Sequence, residues 1–304
     1  MYKEDSDGIL HAKEFDFPFK SFLGHGKDIP VYVSNSCDGL MCFVFSRDHK
    51  ILIWNPSLPS EHKIIQSQFI ANAHNVAIGY DSTSDDYKII NVSVRRSIDE
   101  VYITVEIFSF KSSSWKITRI TKPESIVSFR TRFLYANNGI HWVSEVSHYE
   151  EAVEEDDFEY IYGYPKCLVY FDLAKESLNY MNLPSKSFIH LSLIQYKESI
   201  AISDHIGEQH EIWVLEKYCG MESTWKKNFR FNFTIPLGSY YSSFTLNAEI
   251  LHLTWKGQLR KFDLYDGNFK PVVVHDDKVT YDEKCSYYVF VSPYVESLVS
   301  PMQL

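Results

Sequence analysis

The stretch KILIWNPSLPSEHKII, residues 50–65, alternates apolar and polar side chains, breaks at Asn55-Pro56 and resumes as a second alternating run. That period of two belongs to a half-buried strand, and the break to a hairpin turn. The same pattern returns around Phe108, Phe171, Trp213 and Phe262, at intervals of 54, 63, 42 and 49 residues from one aromatic to the next. A recurring unit of about 50 residues matches the length of a kelch-type propeller blade, and no helical repeat of that period reads this way.

Each anchor strand has upstream partners that also read as strands, such as DGLMCFVFS before Trp54 and NNGIHWVSEV before Phe171. Turn signals separate them at Asp38-Gly39, Asn138-Gly139, Lys256-Gly257 and Asp266-Gly267, dipeptides that supply the positive φ of tight hairpins. An isolated three- or four-stranded sheet leaves two apolar faces in water, and packing such sheets around an axis buries both. The chain is therefore expected to be all-β, with little helix, as a kelch-like β-propeller of about six blades. Trp54, Phe108, Phe171, Trp213 and Phe262 are the expected blade-packing aromatics, each burying ~150–250 Å² between neighbours. The last aromatic run, CSYYVFVSPYVESLV, would close the ring with an N-terminal strand near EFDFPFK. A two-sheet sandwich is the alternative that the spacing leaves open.

Composition narrows the function. Aromatic residues make up 16% of the 304, and the formal charge is −10 with no Lys/Arg cluster, which argues against nucleic acid as a partner. No run of 18 apolar residues predicts a membrane span, and the acidic start MYKEDSDG does not read as an export signal. The five cysteines (Cys37, Cys42, Cys167, Cys219, Cys285) are odd in number and lack CxxC spacing, so reduced thiols in the cytoplasm or nucleus are expected. For the same reason the sequons at Asn91 and Asn232 are expected to stay unmodified.

No GxSxG, HExxH, P-loop or GxGxxG appears, and the reading assigns no catalytic residue, no cofactor and no metal. His205 and His210 flank Gly207 without a third ligand nearby, and read as loop histidines. The acidic run YEEAVEEDDFEY carries Glu150, Glu151, Glu154, Glu155, Asp156 and Asp157 inside the longest interval. It reads either as a solvated loop or as a recognition loop for a basic partner, and its spacing is not that of a calcium loop. SFLGHGKDIPVY, RRSID and FTIPLGSYYSS are the other exposed candidates, with Tyr240 and Tyr241 in the last.

Eight segments, SCDGLMCF, ILIWNPS, IGYDSTSDDYKII, VEIFSFKSSSWKI, IHWVSE, FDLAKESLNYMNLP, EIWVLEKYCGMESTWKKNF and YVESLVSP, stand in the order of the F-box-associated domain of plant F-box proteins. The chain resembles that family, including its F-box/kelch-repeat and S-locus F-box-like members, over residues 15–301. Residues 1–14 read as the remnant of an N-terminal linker, with the F-box itself missing. The resemblance implies a substrate-recognition module, the receptor part of an SCF-type cullin–RING ubiquitin ligase. It would hold a protein to be ubiquitinated and meet a Skp-type adaptor in a form that carries an F-box. A stand-alone scaffold or decoy is the alternative, and a propeller enzyme or small-ligand binder a further one.

Overall fold

The computed structural model describes residues 2–4, 10–12, 31–70, 72–96, 101–121, 125–129, 131–147, 166–184, 191–197, 199–206, 209–217, 223–232, 242–246, 249–253, 259–262, 269–271, 274–275 and 296–304. In chain order, β1 (Tyr2–Glu4) and β2 (Leu10–Ala12) form a short antiparallel pair within the segment read as linker. The first larger sheet holds β3 (Val31–Cys37), β4 (Leu40–Phe45), β5 (Lys50–Trp54) and β6 (His62–Gln66). The second holds β7 (Val76–Asp81), β8 (Asp86–Arg96), β9 (Val101–Ser109) and β10 (Ser114–Thr121).

In the third, β11 (Ser125–Phe129) and β12 (Leu134–Ala136) both pair with β13 (Gly139–Ser147), followed by β14 (Lys166–Asp172) and β15 (Ser177–Asn182). The fourth holds β16 (Ser192–Tyr196), β17 (Ser199–Ile206), β18 (Gln209–Lys217) and β19 (Thr224–Asn232). The fifth holds β20 (Ser242–Leu246), β21 (Glu249–Leu253), β22 (Leu259–Phe262) and β23 (Phe269–Pro271). Finally, β24 (Val274–His275) runs parallel to β2, joining the start of the chain to its late part. That junction uses Leu10–Ala12, whereas the expected closing strand near residues 15–20 lies outside the described residues.

Each of the five larger sheets is an antiparallel meander whose strands follow chain order. Their first strands meet one another: β3 touches β7, β12 touches both, and β16 touches β12 and β20. The sheets therefore run outward from a common centre, which is a β-propeller-like arrangement and not two stacked layers. One bulge shows how the centre is tied. The β3–β4 register shifts between Val33 and Ser36, which frees Ser34 and Asn35 from the ladder. Asn35 then bonds both backbone groups of Ile78 on β7, donating to its carbonyl at 2.7 Å and accepting from its amide at 2.9 Å, while the Ser34 hydroxyl donates to the Val76 carbonyl.

Apolar side chains fill the gaps between sheets. One cluster joins Leu40, Ile51 and Ile53 of the first sheet to Val76, Ile89 and Phe108 of the second. A second joins Ile90, Val92 and Val105 to Trp142, Val169 and Phe171, and a third joins Val143 and Leu168 to Ile200 and Leu215. At the circumference, tryptophans of the outer strands tie the second sheet to the first and the fourth to the third. The Trp115 indole N–H donates to the Gln66 carbonyl and that of Trp225 to the Asn182 carbonyl, both at 2.9 Å.

A buried ion cluster joins the second and third sheets. Lys88 Nζ lies 2.9 Å from Asp81 Oδ2, donates to the Leu173 carbonyl at 2.8 Å and stands 3.6 Å from Glu176. Residues 296–304 cross the first sheet. Asn55 Nδ2 donates to the Ser297 and Val299 carbonyls at 3.0 and 2.8 Å, and Val299 and Leu304 pack against the first cluster.

Candidate protein-binding rim

A meander of this kind has two ends. First-to-second and third-to-fourth strand connections fall at one end, and the remaining connections at the other. At the first end several described connections are tight turns, while β5 and β6 are joined by the seven residues 55–61. Asp38 (φ 46°) and Gly39 (φ 76°) link β3 to β4, and Asn137 (φ 51°) and Asn138 (φ 61°) link β12 to β13. Asp81 shapes the turn after β7, accepting from the Thr83 amide at 3.0 Å and the Ser84 hydroxyl at 2.7 Å. Burial pushes the Asp81 carboxyl up, but these donors and the Lys88 ammonium outweigh it and bring it down to about 2. This turn end is closed by its own hydrogen bonds.

At the second end the connections range from the two residues between β17 and β18 to the 18 between β13 and β14. The chain leaves the described residues at Ser147 and returns at Lys166, and it does so again between Asn232 and Ser242, with all four points at this rim. The acids Glu150, Glu151, Glu154, Glu155, Asp156 and Asp157 fall in the first of those intervals, and Tyr240 and Tyr241 in the second. Their structure lies outside the described residues, as do the side chains of His205 and His210, whose backbones stand opposite each other in the β17–β18 ladder and not in a loop as expected. Beneath the first and second sheets this rim is formed by described residues.

There the connector from β6 to β7 is fixed from several sides. The Asn91 side chain donates to the Phe69 carbonyl at 2.7 Å and to Glu106 Oε2 at 2.9 Å. His49 Nδ1 accepts from the Ile70 amide at 3.0 Å, and Ser67 Oγ accepts from the Phe69 amide at 3.3 Å. The Phe69 ring, 38% exposed, is thereby held at the surface, with the Arg95 guanidinium 4.5 Å above it. Arg95 faces Tyr102 across the β8–β9 ladder, and the Arg119 guanidinium lies 3.7 Å over the Tyr102 ring. Nearer the axis, Tyr32 packs on the His74 ring at 4.0 Å between centroids, with Arg132 5.6 Å above its own ring. Burial, then the neighbouring Arg132 charge, holds His74 below its ordinary range, so it is neutral at physiological pH.

Stacking on an aromatic face fixes the plane of a guanidinium. Among the described residues no group of three or more His, Cys, Asp or Glu could hold a metal ion, and no helix is long and apolar enough to cross a membrane. The thiols of Cys37 and Cys42 are buried, and desolvation raises both well above the usual range.

The five anchor aromatics occupy different settings. Phe108 and Phe171 stand in the clusters between sheets. Trp54 groups with Phe43, Phe45 and Leu52 of its own sheet, and its indole N–H donates to the Pro59 carbonyl at 3.2 Å. Trp213 is half-buried beneath the Lys227 ammonium, which lies 4.5 Å from its ring centroid. Phe262 pairs with Phe269 in the β22–β23 ladder. Of Phe69, Arg95, Tyr102 and Arg119, Arg95 alone lies in a segment singled out from sequence, at the start of RRSID.

Residues 13–301 match the F-box associated beta propeller domain. An Arabidopsis thaliana protein named for an F-box, At3g21130, is 26% identical over 290 residues, covering 88% of this chain and 69% of that protein. The F-box/kelch-repeat protein At3g23880 of the same plant is 25% identical over 120 residues, covering 38% of this chain and 32% of its own length. F-box protein At3g08750, also from Arabidopsis thaliana, is 31% identical over 152 residues, 49% of this chain and 37% of its own.

Proposed function

This chain belongs to the F-box associated beta propeller family, and from that premise we propose that it is the substrate-recognition module of an SCF-type cullin–RING ubiquitin ligase. Its part is positioning. The loop rim grips a target polypeptide, and a Skp-type adaptor bound to an F-box brings that target to the ligase. The module performs no chemistry of its own. The family match over nearly the whole chain carries this reading, since its relatives are F-box proteins. The 18 residues between β13 and β14 support it, because long connections on a rigid scaffold are where recognition is commonly built. Buried, unreactive thiols suit the reducing cytoplasm or nucleus.

The test is affinity capture from plant extract under proteasome inhibition, run with this chain and with the same chain fused to an F-box. A target enriched by both, and ubiquitinated with the fused form alone, is the expected result. Enrichment by both without ubiquitin on the target would make the module a scaffold or decoy and sink the ligase reading.

A further inference from the structure

Three tyrosines gather at the turn end of the first three sheets, and a hydrogen bond fixes each hydroxyl. Tyr80 and Tyr87 are partners across the β7–β8 ladder, with ring centroids 4.9 Å apart. The Tyr80 hydroxyl donates to Asp85 Oδ1 at 2.6 Å, the Tyr87 hydroxyl to Asp38 Oδ2 at 3.1 Å, and the Tyr135 hydroxyl to the Tyr80 carbonyl at 2.9 Å. We propose that Tyr80, Tyr87 and Asp38 form a docking face for a basic segment of a partner protein. A lysine or arginine of that segment meets Asp38 Oδ1 and lies against the two rings, while an apolar neighbour rests on Leu298. This goes beyond the substrate-recognition reading, because the face stands at the end of the sheets opposite the β13–β14 connection.

Asp38 is exposed, and the contacts made to its carboxylate, from the Tyr87 hydroxyl and the Cys37 thiol, both fall on Oδ2. Oδ1 therefore remains for a partner's cation. The described lysines of this end are engaged by other acids: Lys111 lies 3.6 Å from Asp85, Lys175 lies 3.7 Å from Asp172, and Lys88 and Lys116 both meet Glu176. The carboxylate is also held ready. Its backbone is set by the turn (φ 46°), and burial, then the Asp38 charge, raises the Tyr87 phenol well above its ordinary range, so Tyr87 stays a donor. Tyr80 and Tyr87 are half-buried against the cluster between the first two sheets, and part of each remains at the surface. Tethered rings lose little freedom on binding, and their faces attract a cation. Leu298 is 84% exposed at the same turn, since the adjacent Ser297 hydroxyl donates to the Asp38 carbonyl. A chain at −10 draws in a basic segment and repels nucleic acid or an anionic vesicle. A polyamine carries the charge but lacks the apolar neighbour for Leu298.

The probe is a fluorescein-labelled deca-arginine peptide, read by anisotropy at two salt concentrations, with deca-glutamate and spermine for comparison. A second probe carries leucine at every third position. Both are measured on the native chain and on one whose acids between residues 150 and 157 are changed to serine, because that run offers arginine another place to bind. On the serine background deca-arginine is expected to bind in a salt-dependent way, and deca-glutamate not at all. D38N, whose asparagine accepts the left-handed backbone, Y80L and Y87L should each weaken deca-arginine about two- to five-fold. The leucine probe should bind more tightly than deca-arginine, and L298S should remove the difference.

Binding indifferent to D38N and to both tyrosine variants would overturn the proposal, as would binding that disappears on the serine background. Spermine displacing the probe with the same dependence on Asp38, together with a leucine probe no tighter than deca-arginine, would overturn it in favour of a site for small cations. Thermal melts identify a tyrosine variant that has lost its fold, in which case D38N and L298S, both at the surface, carry the comparison.

Discussion

Replacing Lys88 with methionine tests how the second and third sheets are joined. The Lys88 side chain is 9% exposed and that of Asp81 2%, and their charges lie 2.9 Å apart. At an effective dielectric of about 20, such a pair attracts by roughly 6 kcal/mol before desolvation is set against it. Methionine fills a similar volume but strands the Asp81 carboxylate and removes the donor from the Leu173 carbonyl. Breaking one side of a buried pair costs about 3–5 kcal/mol. In a domain of this size, that corresponds to a fall in melting temperature of about 5–8 °C.

Thermal and urea denaturation of K88M against wild type measure the loss directly. D81N/K88M should recover part of it, because no uncompensated charge remains. A K88M protein within about 1 kcal/mol of wild type, or a double variant no more stable than K88M, would refute the reasoning. The acid limb gives a second reading. Asp81 sits at about 2 when folded and near 3.9 in an unfolded chain. Its contribution is therefore complete above about pH 4 and is lost as pH falls towards about 2. D81N should flatten stability across that window.

At Gly139 an added Cβ would fall 1.9 Å from the Tyr170 ring and 2.7 Å from the Phe171 backbone oxygen, so G139A is expected to lose at least about 3 kcal/mol or fail to fold, read by urea denaturation. N55A removes the Asn55 hydrogen bonds to Ser297 and Val299 and should cost about 1–3 kcal/mol, with faster protease cleavage within residues 296–304 followed by mass spectrometry. Asn91 is 2% exposed with its amide engaged, so the folded protein should resist oligosaccharyltransferase at that sequon in vitro, while the denatured chain accepts glycan; equal glycosylation of both forms would contradict the burial.

Alternation and turn chemistry carried the all-β reading, because both are local. Asp38-Gly39 is a turn as its residues predict. Asn138-Gly139 was displaced by one position: the left-handed residues are Asn137 and Asn138, and Gly139 begins β13 because the Tyr170 ring occupies the space of its side chain. That need arises across a ladder and leaves no trace in a dipeptide. Lys88, in DDYKII, reads as a surface charge, and its burial follows from Leu173 and Glu176, 85 and 88 residues on. The rim column was illegible for the same reason, since Phe69, Arg95, Tyr102 and Arg119 meet through tertiary packing. The outer tryptophans Trp115 and Trp225 could have been noticed, as SSSWKI and ESTWKK hold similar places in their repeats.

The clasp of Asn55 on Ser297 and Val299 spans more than 240 positions of chain. On a ribosome adding about 5–20 residues per second, the asparagine would wait roughly 12–48 s for its partners. During that time the outer flank of the first sheet lacks Val299 and Leu304 over its apolar cluster. Nascent chains stalled before position 297 should therefore be held by chaperones, and release should follow once the last residues emerge.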